Sequence, residues 1–164
     1  MPSPRSLLAT IALFVGLSGG LAACAPSLDD QIKQAQASLD AGDGPAAEKA
    51  AATALKDAKA PKDAWRLELI RAQGLAQQGK GADVLTHVER LAGAYPKNVT
   101  APLYRDLADK LRASKDTAGA IELLAAGDAR FPAEHQSFVD AIAALKEAGV
   151  DPEELERLKA LGYL

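Results

Sequence analysis

The chain has 164 residues, about the length of one domain, since domains usually contain roughly 150 residues. Hydrophobic residues make up 48% and charged residues 25%, which excludes a disordered chain, and the low aromatic content of 4% favours close-packed helices over a β-sandwich. A net charge of -3 argues against general nucleic-acid binding, and the single cysteine excludes an intrachain disulfide and a cysteine-rich zinc site.

The N-terminal segment 1–23 is predicted to be a targeting signal that is removed. Arg5 is its only charged residue, and an apolar run extends from Leu7 to Leu17 before Ser18-Gly19-Gly20 interrupts it. The run is too short for a transmembrane helix, which needs about 20 residues. The sequence therefore predicts a secretory signal peptide.

The residues Leu21-Ala22-Ala23-Cys24 resemble the lipobox of bacterial lipoproteins. The resemblance implies cleavage before Cys24, a diacylglycerol on its sulfur and a fatty acid such as palmitate on the new amino group. It also implies an outer-membrane location facing the periplasm, because Ala25 replaces the Asp that signals inner-membrane retention. Residues 24–27 would then comprise the acylated cysteine and a short linker. The alternative is an ordinary secretory signal with a chance cysteine.

Eight helices are predicted in the rest of the chain from apolar spacing and from Gly and Pro breaks. Ser27 and Asp151 have the chemistry of N-caps, and Gly42 and Gly79 that of helix-ending residues. In the last helix, Leu155, Leu158 and Leu161 are expected to pack inward, with Gly162-Tyr163-Leu164 as a hydrophobic cap. The predicted helices span 28–41, 45–58, 62–79, 81–94, 101–114, 117–130, 133–148 and 152–161.

Sequence landmarks recur along the chain at a nearly constant offset. Tyr95-Pro96 returns 36 residues later as Phe131-Pro132, and an earlier block lies 37 residues upstream of the second. Each block is predicted to consist of a helix, a short turn and a second helix. The third block fits the pattern best, with Tyr104, Leu107, Ala108, Leu111, Ala120, Leu124, Gly127 and Pro132.

This pattern of small and large residues with a closing Pro resembles the tetratricopeptide repeat, or TPR. The resemblance implies that residues 28–164 form an all-α domain, a right-handed α-solenoid of antiparallel helix pairs. About three repeats would be followed by a C-terminal capping helix pair. The second block departs from the pattern at Glu68 and Arg71, which occupy usually apolar positions, and the first has Lys59 where the others have Pro. The alternative is a generic Ala-rich helical bundle.

No catalytic or metal-binding motif is recognisable in the sequence. His87 and His135 are the only histidines, and they lie on separate predicted helices without metal-ligand spacing. His87 is expected at the surface or half-buried. Trp65 is more easily explained by packing than by ligand stacking. We therefore predict a protein that is not an enzyme, has no cofactor and no metal site, and binds neither a small-molecule substrate nor nucleic acid.

The TPR resemblance implies that the first helix of each pair lines a concave groove. On these helices a polar strip includes Gln36 and Asp40, and its predicted partner-binding residues are Arg66, Gln73, Gln77, Arg105, Asp109 and Arg112. Arginine binds carboxylates with two parallel hydrogen bonds, so an acidic segment or a free C-terminus of a protein partner would suit the strip. The alternative is a solvated helix face.

Together these features predict a membrane-anchored adaptor. Cys24 would hold the lipid anchor, and the helical repeats would bind a protein partner in envelope assembly, secretion or pilus biogenesis. The alternative is a passive structural or tethering lipoprotein of the envelope that has no specific groove ligand.

Overall fold

The computed structural model describes residues 26–147 and 149–164, and within these ranges the chain is all-helical, without strands. The predicted signal segment and Cys24 lie outside the described residues. A short 3₁₀ helix, Pro132–Glu134, precedes the seventh α-helix. The α-helices are α1 (Leu28–Asp40), α2 (Gly44–Ala54), α3 (Pro61–Gln77), α4 (Gly81–Ala94), α5 (Ala101–Ala113), α6 (Thr117–Arg130), α7 (His135–Glu147) and α8 (Pro152–Ala160).

Four helices, α1, α2, α6 and α8, begin where the preceding residue caps the free backbone N–H groups with its side chain. The Ser27 side chain accepts from the N–H of Asp30, and Asp151 and Glu154 form a capping box at the start of α8. The second helix ends at Ala54, four residues earlier than predicted. After Leu55 the next backbone N–H groups bond to carbonyls three residues back instead of four, as the N–H of Lys56 does to the carbonyl of Thr53. These tighter turns end the α-helical pattern.

A left-handed residue recurs near the end of alternate helices. Gly42 and Gly79 have φ of 77° and 66°, as expected for helix-ending glycines, and Gly149 has φ of 97°. Between α5 and α6 the corresponding residue is Lys115, which adopts φ of 66° without the freedom of glycine. The same turn geometry is therefore used along the chain with and without glycine.

Each helix packs against its neighbours in the chain or against the helix two places away. The helices α1, α3, α5 and α7 contact one another in that order, and α6 contacts α4 and α8. Buried side chains form a smaller cluster around α1, α2 and one face of α3 and a larger one from α3 to α8. The third helix thus serves both clusters, with Leu67 and Ile70 in the first and Ala72 and Leu75 in the second.

Two hydrogen bonds that span the same number of residues in the sequence connect successive odd-numbered helices. Gln77 Nε2 donates to the carbonyl oxygen of Leu39 at 2.9 Å, and Ser114 Oγ donates to that of Ala76 at 2.9 Å. In both cases donor and acceptor are 38 residues apart. The ends of α1, α3 and α5 are therefore joined by equivalent side chain to backbone contacts.

The last helix is held by fewer apolar contacts than predicted. Leu158 is fully buried and Leu155 is half-buried, but Leu161 is 44% exposed. The inward packing expected of Leu161 is wrong, because α8 ends at Ala160 and the chain turns away through Gly162, at φ of 82°. Tyr163 then packs against the larger core cluster.

Candidate functional site

A cavity of about 310 Å³ lies between α5 and α7, over Leu124 of α6, and we call it the α5–α7 groove. Its floor is apolar, since Ala108, Leu124 and Leu145 are buried beneath it. Charged side chains of α5 line it as well. They are Arg105, Asp106, Asp109 and Arg112.

The spacing of these residues explains why they meet at one groove. Arg105, Asp109 and Arg112 are four and then three positions apart, which places them on one face of a helix. The guanidinium of Arg105 lies over the ring of Phe138 on α7, 5.9 Å from its centroid. Arg112 and Asp109 form a weak ion pair at 3.5 Å. The groove therefore presents two guanidinium groups and two carboxylates, those of Asp106 and Asp109, beside an apolar floor. Its guanidinium groups can bind a carboxylate next to an apolar side chain.

The other predicted groove residues do not line this cavity. Arg66 is exposed and Gln73 is half-buried, both on α3. Gln77 uses its side-chain nitrogen in the bond to Leu39 described above, so this amide group is part of the packing between α1 and α3. The structure thus brings together three of the six predicted residues: Arg105, Asp109 and Arg112.

A second polar cluster, which we call the ionic cluster, lies between α3 and α4. Glu68 is only 7% exposed, and its Oε2 lies 2.7 Å from Arg90, 3.3 Å from His87 and 3.5 Å from Arg71. His87 Nε2 also lies 3.1 Å from the backbone carbonyl oxygen of Glu68. Burial alone raises the pKa of Glu68, but the hydrogen bonds from His87 and Arg90 outweigh it and lower this pKa from 4.5 to about 2. The surrounding cations therefore stabilise the ionised form of this buried carboxyl group.

The expectation that His87 lies at the surface or half-buried is wrong, since it is 7% exposed. Its ring is buried because Glu68, 19 residues away on α3, supplies an acceptor for it. A sequence signal for the cluster existed: Glu68 and Arg71 occupy positions that are apolar in the third repeat, and His87 aligns with Leu123 at the same 36-residue offset.

A third polar group ties the C-terminal residues to α6. The hydroxyl of Tyr163 donates to Asp128 Oδ2 at 2.7 Å, and His135 Nδ1 lies 2.8 Å from Asp128 Oδ1. Burial and the hydrogen bond to Asp128 raise the pKa of the Tyr163 hydroxyl. This contact anchors the chain after α8.

The expected packing role of Trp65 is confirmed, since it packs against the larger core cluster and its ring lies 5.5 Å from that of Tyr95.

Comparison of the chain with family models, curated proteins and solved structures finds no match. Within residues 26–147 and 149–164, no three His, Cys, Asp or Glu side chains are arranged so that they could hold a metal ion. None of the helices in this part of the chain has the length and hydropathy of a membrane span. Function must therefore be inferred from the chemistry of the chain itself.

Proposed function

We propose that this protein is a lipid-anchored adaptor of the bacterial cell envelope that binds a protein partner in the α5–α7 groove. The observation that carries the proposal is the groove itself, in which Arg105 and Arg112 lie beside a buried apolar floor. A partner segment with an acidic side chain or a free C-terminus next to an apolar residue complements these groups.

The proposal includes a TPR-like arrangement, a right-handed solenoid of antiparallel helix pairs. Two regularities support it. The bonds from Gln77 and Ser114 recur with the same donor–acceptor separation, and the left-handed turn residue recurs at Gly42, Gly79 and Lys115. In such an array each unit contacts mainly its neighbours, so grooves form between successive first helices.

The anchor would be Cys24, acylated as the lipobox resemblance implies. The first described helix begins at Leu28, four residues after the cysteine. Four extended residues span about 14 Å, so α1 would lie close to the membrane surface. The adaptor would thus present its groove to partners at the periplasmic face of the outer membrane.

Site-specific crosslinking in cells tests the proposal. A photoreactive residue at Ala144, an exposed position that lines the groove, should capture one defined protein, and the same residue at exposed Ala129 on α6 serves as the control. Capture from position 144 should disappear in the Arg105→Ala/Arg112→Ala variant. Equal capture of abundant bystanders from both positions would contradict the adaptor and favour the passive tethering lipoprotein.

A further inference from the structure

Among the described residues, large apolar side chains are exposed at one place only, the segment that follows α8. Leu161 is 44% exposed and Leu164 is 49% exposed. Tyr163 lies between them, packs against the larger core cluster and donates its hydroxyl to Asp128 Oδ2 at 2.7 Å. The segment is therefore held against α6 while both leucines stay in contact with water.

A series of contacts shows where this segment lies relative to the start of the described chain. At the start of α1, Gln31 Nε2 donates to the carbonyl oxygen of Pro26 at 3.1 Å and to Asp57 Oδ2 at 3.4 Å. Asp57 belongs to the connection that leads into α3, and Trp65 near the start of α3 has its ring 5.5 Å from that of Tyr95. Tyr95 directly follows α4. The start of α1, the start of α3 and the end of α4 thus lie side by side.

The same series continues to the end of α8. Arg130 at the end of α6 donates to the carbonyl oxygen of Ala92 near the end of α4, at 3.5 Å. Asp128, two residues before Arg130, accepts from Tyr163 as described above. Pro26 and the exposed leucines therefore lie at one end of the helices, which we call the Pro26 end.

Several aromatic residues at the Pro26 end are only partly covered by the protein. They are Trp65, Tyr95, Phe131 and Tyr163, and each is half-buried. Aromatic residues, above all Trp and Tyr, are enriched where proteins meet the surface of a bilayer, because they combine an apolar ring with a polar tip. This composition is typical of a surface that lies against a membrane.

Charged side chains of both signs surround these apolar groups. The exposed lysines are Lys56, Lys59, Lys62 and Lys97. The exposed acidic residues are Asp29, Asp30, Asp57 and Glu134. Attraction of this end to a bilayer would therefore come from burial of its apolar groups and not from its net charge.

We propose that the Pro26 end is a membrane-contact surface, on which Leu161 and Leu164 enter the boundary between phospholipid headgroups and acyl chains. The proposal rests on the lipid anchor of the proposed function. Cys24 is two residues before Pro26, and two extended residues span about 7 Å, so an acylated Cys24 would keep this end next to the bilayer. Water is displaced from both leucines when they enter the bilayer surface, which favours the contact.

The contact can be tested without relying on lipid attachment in cells. The chain from Cys24 onwards, which contains every described residue, is coupled through its single thiol to maleimide lipids in phosphatidylcholine vesicles. Brominated phosphatidylcholine quenches a tryptophan only at close range, so the loss of fluorescence reports contact with the bilayer. If Cys24 is not acylated in cells, the proposed anchor is wrong, whereas absence of quenching in the tethered protein overturns the contact surface alone.

Two probe positions compare the two ends of the molecule. Trp65→Phe removes the only tryptophan, and either Leu164→Trp or Lys80→Trp is then added. Lys80 is exposed between α3 and α4, at the other end of α3 from Trp65. Leu164→Trp should be quenched severalfold more strongly than Lys80→Trp, at low and at high salt. Equal quenching at the two positions, or a difference that disappears at high salt, would overturn the proposal.

A further substitution tests whether the leucines make the contact. Leu161→Ser, combined with Leu164→Trp, should lower the quenching, because one of the two exposed leucines is lost. Ala160→Ser is the matched control, since Ala160 is also exposed and precedes Leu161 directly. Thermal melts verify that each variant is folded. Undiminished quenching in a folded Leu161→Ser variant would contradict the proposed contact.

Discussion

The carboxylate of Asp116 accepts a hydrogen bond from the backbone N–H of Gly81, 35 residues upstream, at 2.7 Å. The other oxygen of Asp116 accepts from the N–H of Gly119 at 2.9 Å and so caps its own helix, α6. The N-cap of α4 is Lys80, which provides no side-chain cap. One side chain therefore caps two helices. The starts of α4 and α6 approach closely enough for this because both first-turn residues, Gly81 and Gly119, lack a side chain. A Cβ at Gly119 would lie only 2.7 Å from the Cα of Gly81.

We predict that Asp116→Ala destabilises the protein by about 2 kcal/mol, because loss of one N-cap typically costs about 1 kcal/mol and two helices lose theirs. Asp43→Ala is the matched control, since Asp43 caps α2 alone, through the N–H of Ala46. Urea unfolding of both variants measures the difference. Equal destabilisation by the two substitutions would contradict a shared cap.

Lys115 adopts the left-handed conformation that Gly42 and Gly79 adopt at the corresponding turns. We expect Lys115→Gly to stabilise the protein by up to about 1 kcal/mol, because glycine relieves the backbone strain of a positive φ. Lys80→Gly is the control, because Lys80 has an unstrained φ of -101°. This substitution also removes a lysine side chain, and it should be neutral or destabilising. Thermal melts compare the two, and a Lys115→Gly variant less stable than Lys80→Gly would count against strain at this turn.

The stability contributed by Glu68 should depend on pH in a defined window. Its pKa is 4.5 in the unfolded chain and about 2 in the folded protein, so the unfolded state binds the proton more readily. The contribution is fully present above pH 4.5 and is lost as the pH falls towards 2.

Glu68→Gln isolates this contribution. The variant should be less stable than wild type at pH 7, because it breaks the ionic cluster without replacing it by apolar packing. In urea unfolding at a series of pH values, the gap between the two proteins should narrow between pH 4.5 and 2. A gap that stays constant over this range would contradict the lowered pKa.

Apart from the early end of α2 at Ala54, the helix ends were close to those predicted from the sequence, whereas the polar contacts between helices were not predicted. The caps at Ser27 and Asp151 and the turns at Gly42 and Gly79 depend on residues within a few positions, so local chemistry is sufficient. The burial of His87 and the second cap made by Asp116 depend on partners 19 and 35 residues away. Such partners become visible only once the helices are packed.

The candidate groove was predictable in part for the same reason. Arg105, Asp109 and Arg112 share one helix face, so their proximity follows from helical spacing alone. Whether Arg66 or Gln77 joins them depends on how α3 packs, and Gln77 instead binds the end of α1. The stacking of Arg105 on Phe138 joins α5 to α7 and has no local signal.

The anchor can be tested by substitution of Cys24. We predict that Cys24→Ser abolishes lipid attachment, because the serine hydroxyl does not form the thioether that carries the diacylglycerol. Metabolic labelling with a fatty-acid analogue reads this out, and Ala25→Ser controls for a change next to the site. Equal labelling of wild type and Cys24→Ser would contradict the lipobox assignment.

The central claim is that a partner binds in the α5–α7 groove. The most direct test measures how much of the partner identified by crosslinking is captured by purified wild-type protein and by purified variants. Arg66→Ala removes an exposed charge away from the groove and serves as the control, and circular dichroism verifies the helical content of each variant. We predict that Arg105→Ala/Arg112→Ala weakens capture at least tenfold at low salt, with a smaller effect at high salt because charge interactions are screened. Undiminished capture by a fully helical Arg105→Ala/Arg112→Ala variant would contradict the account.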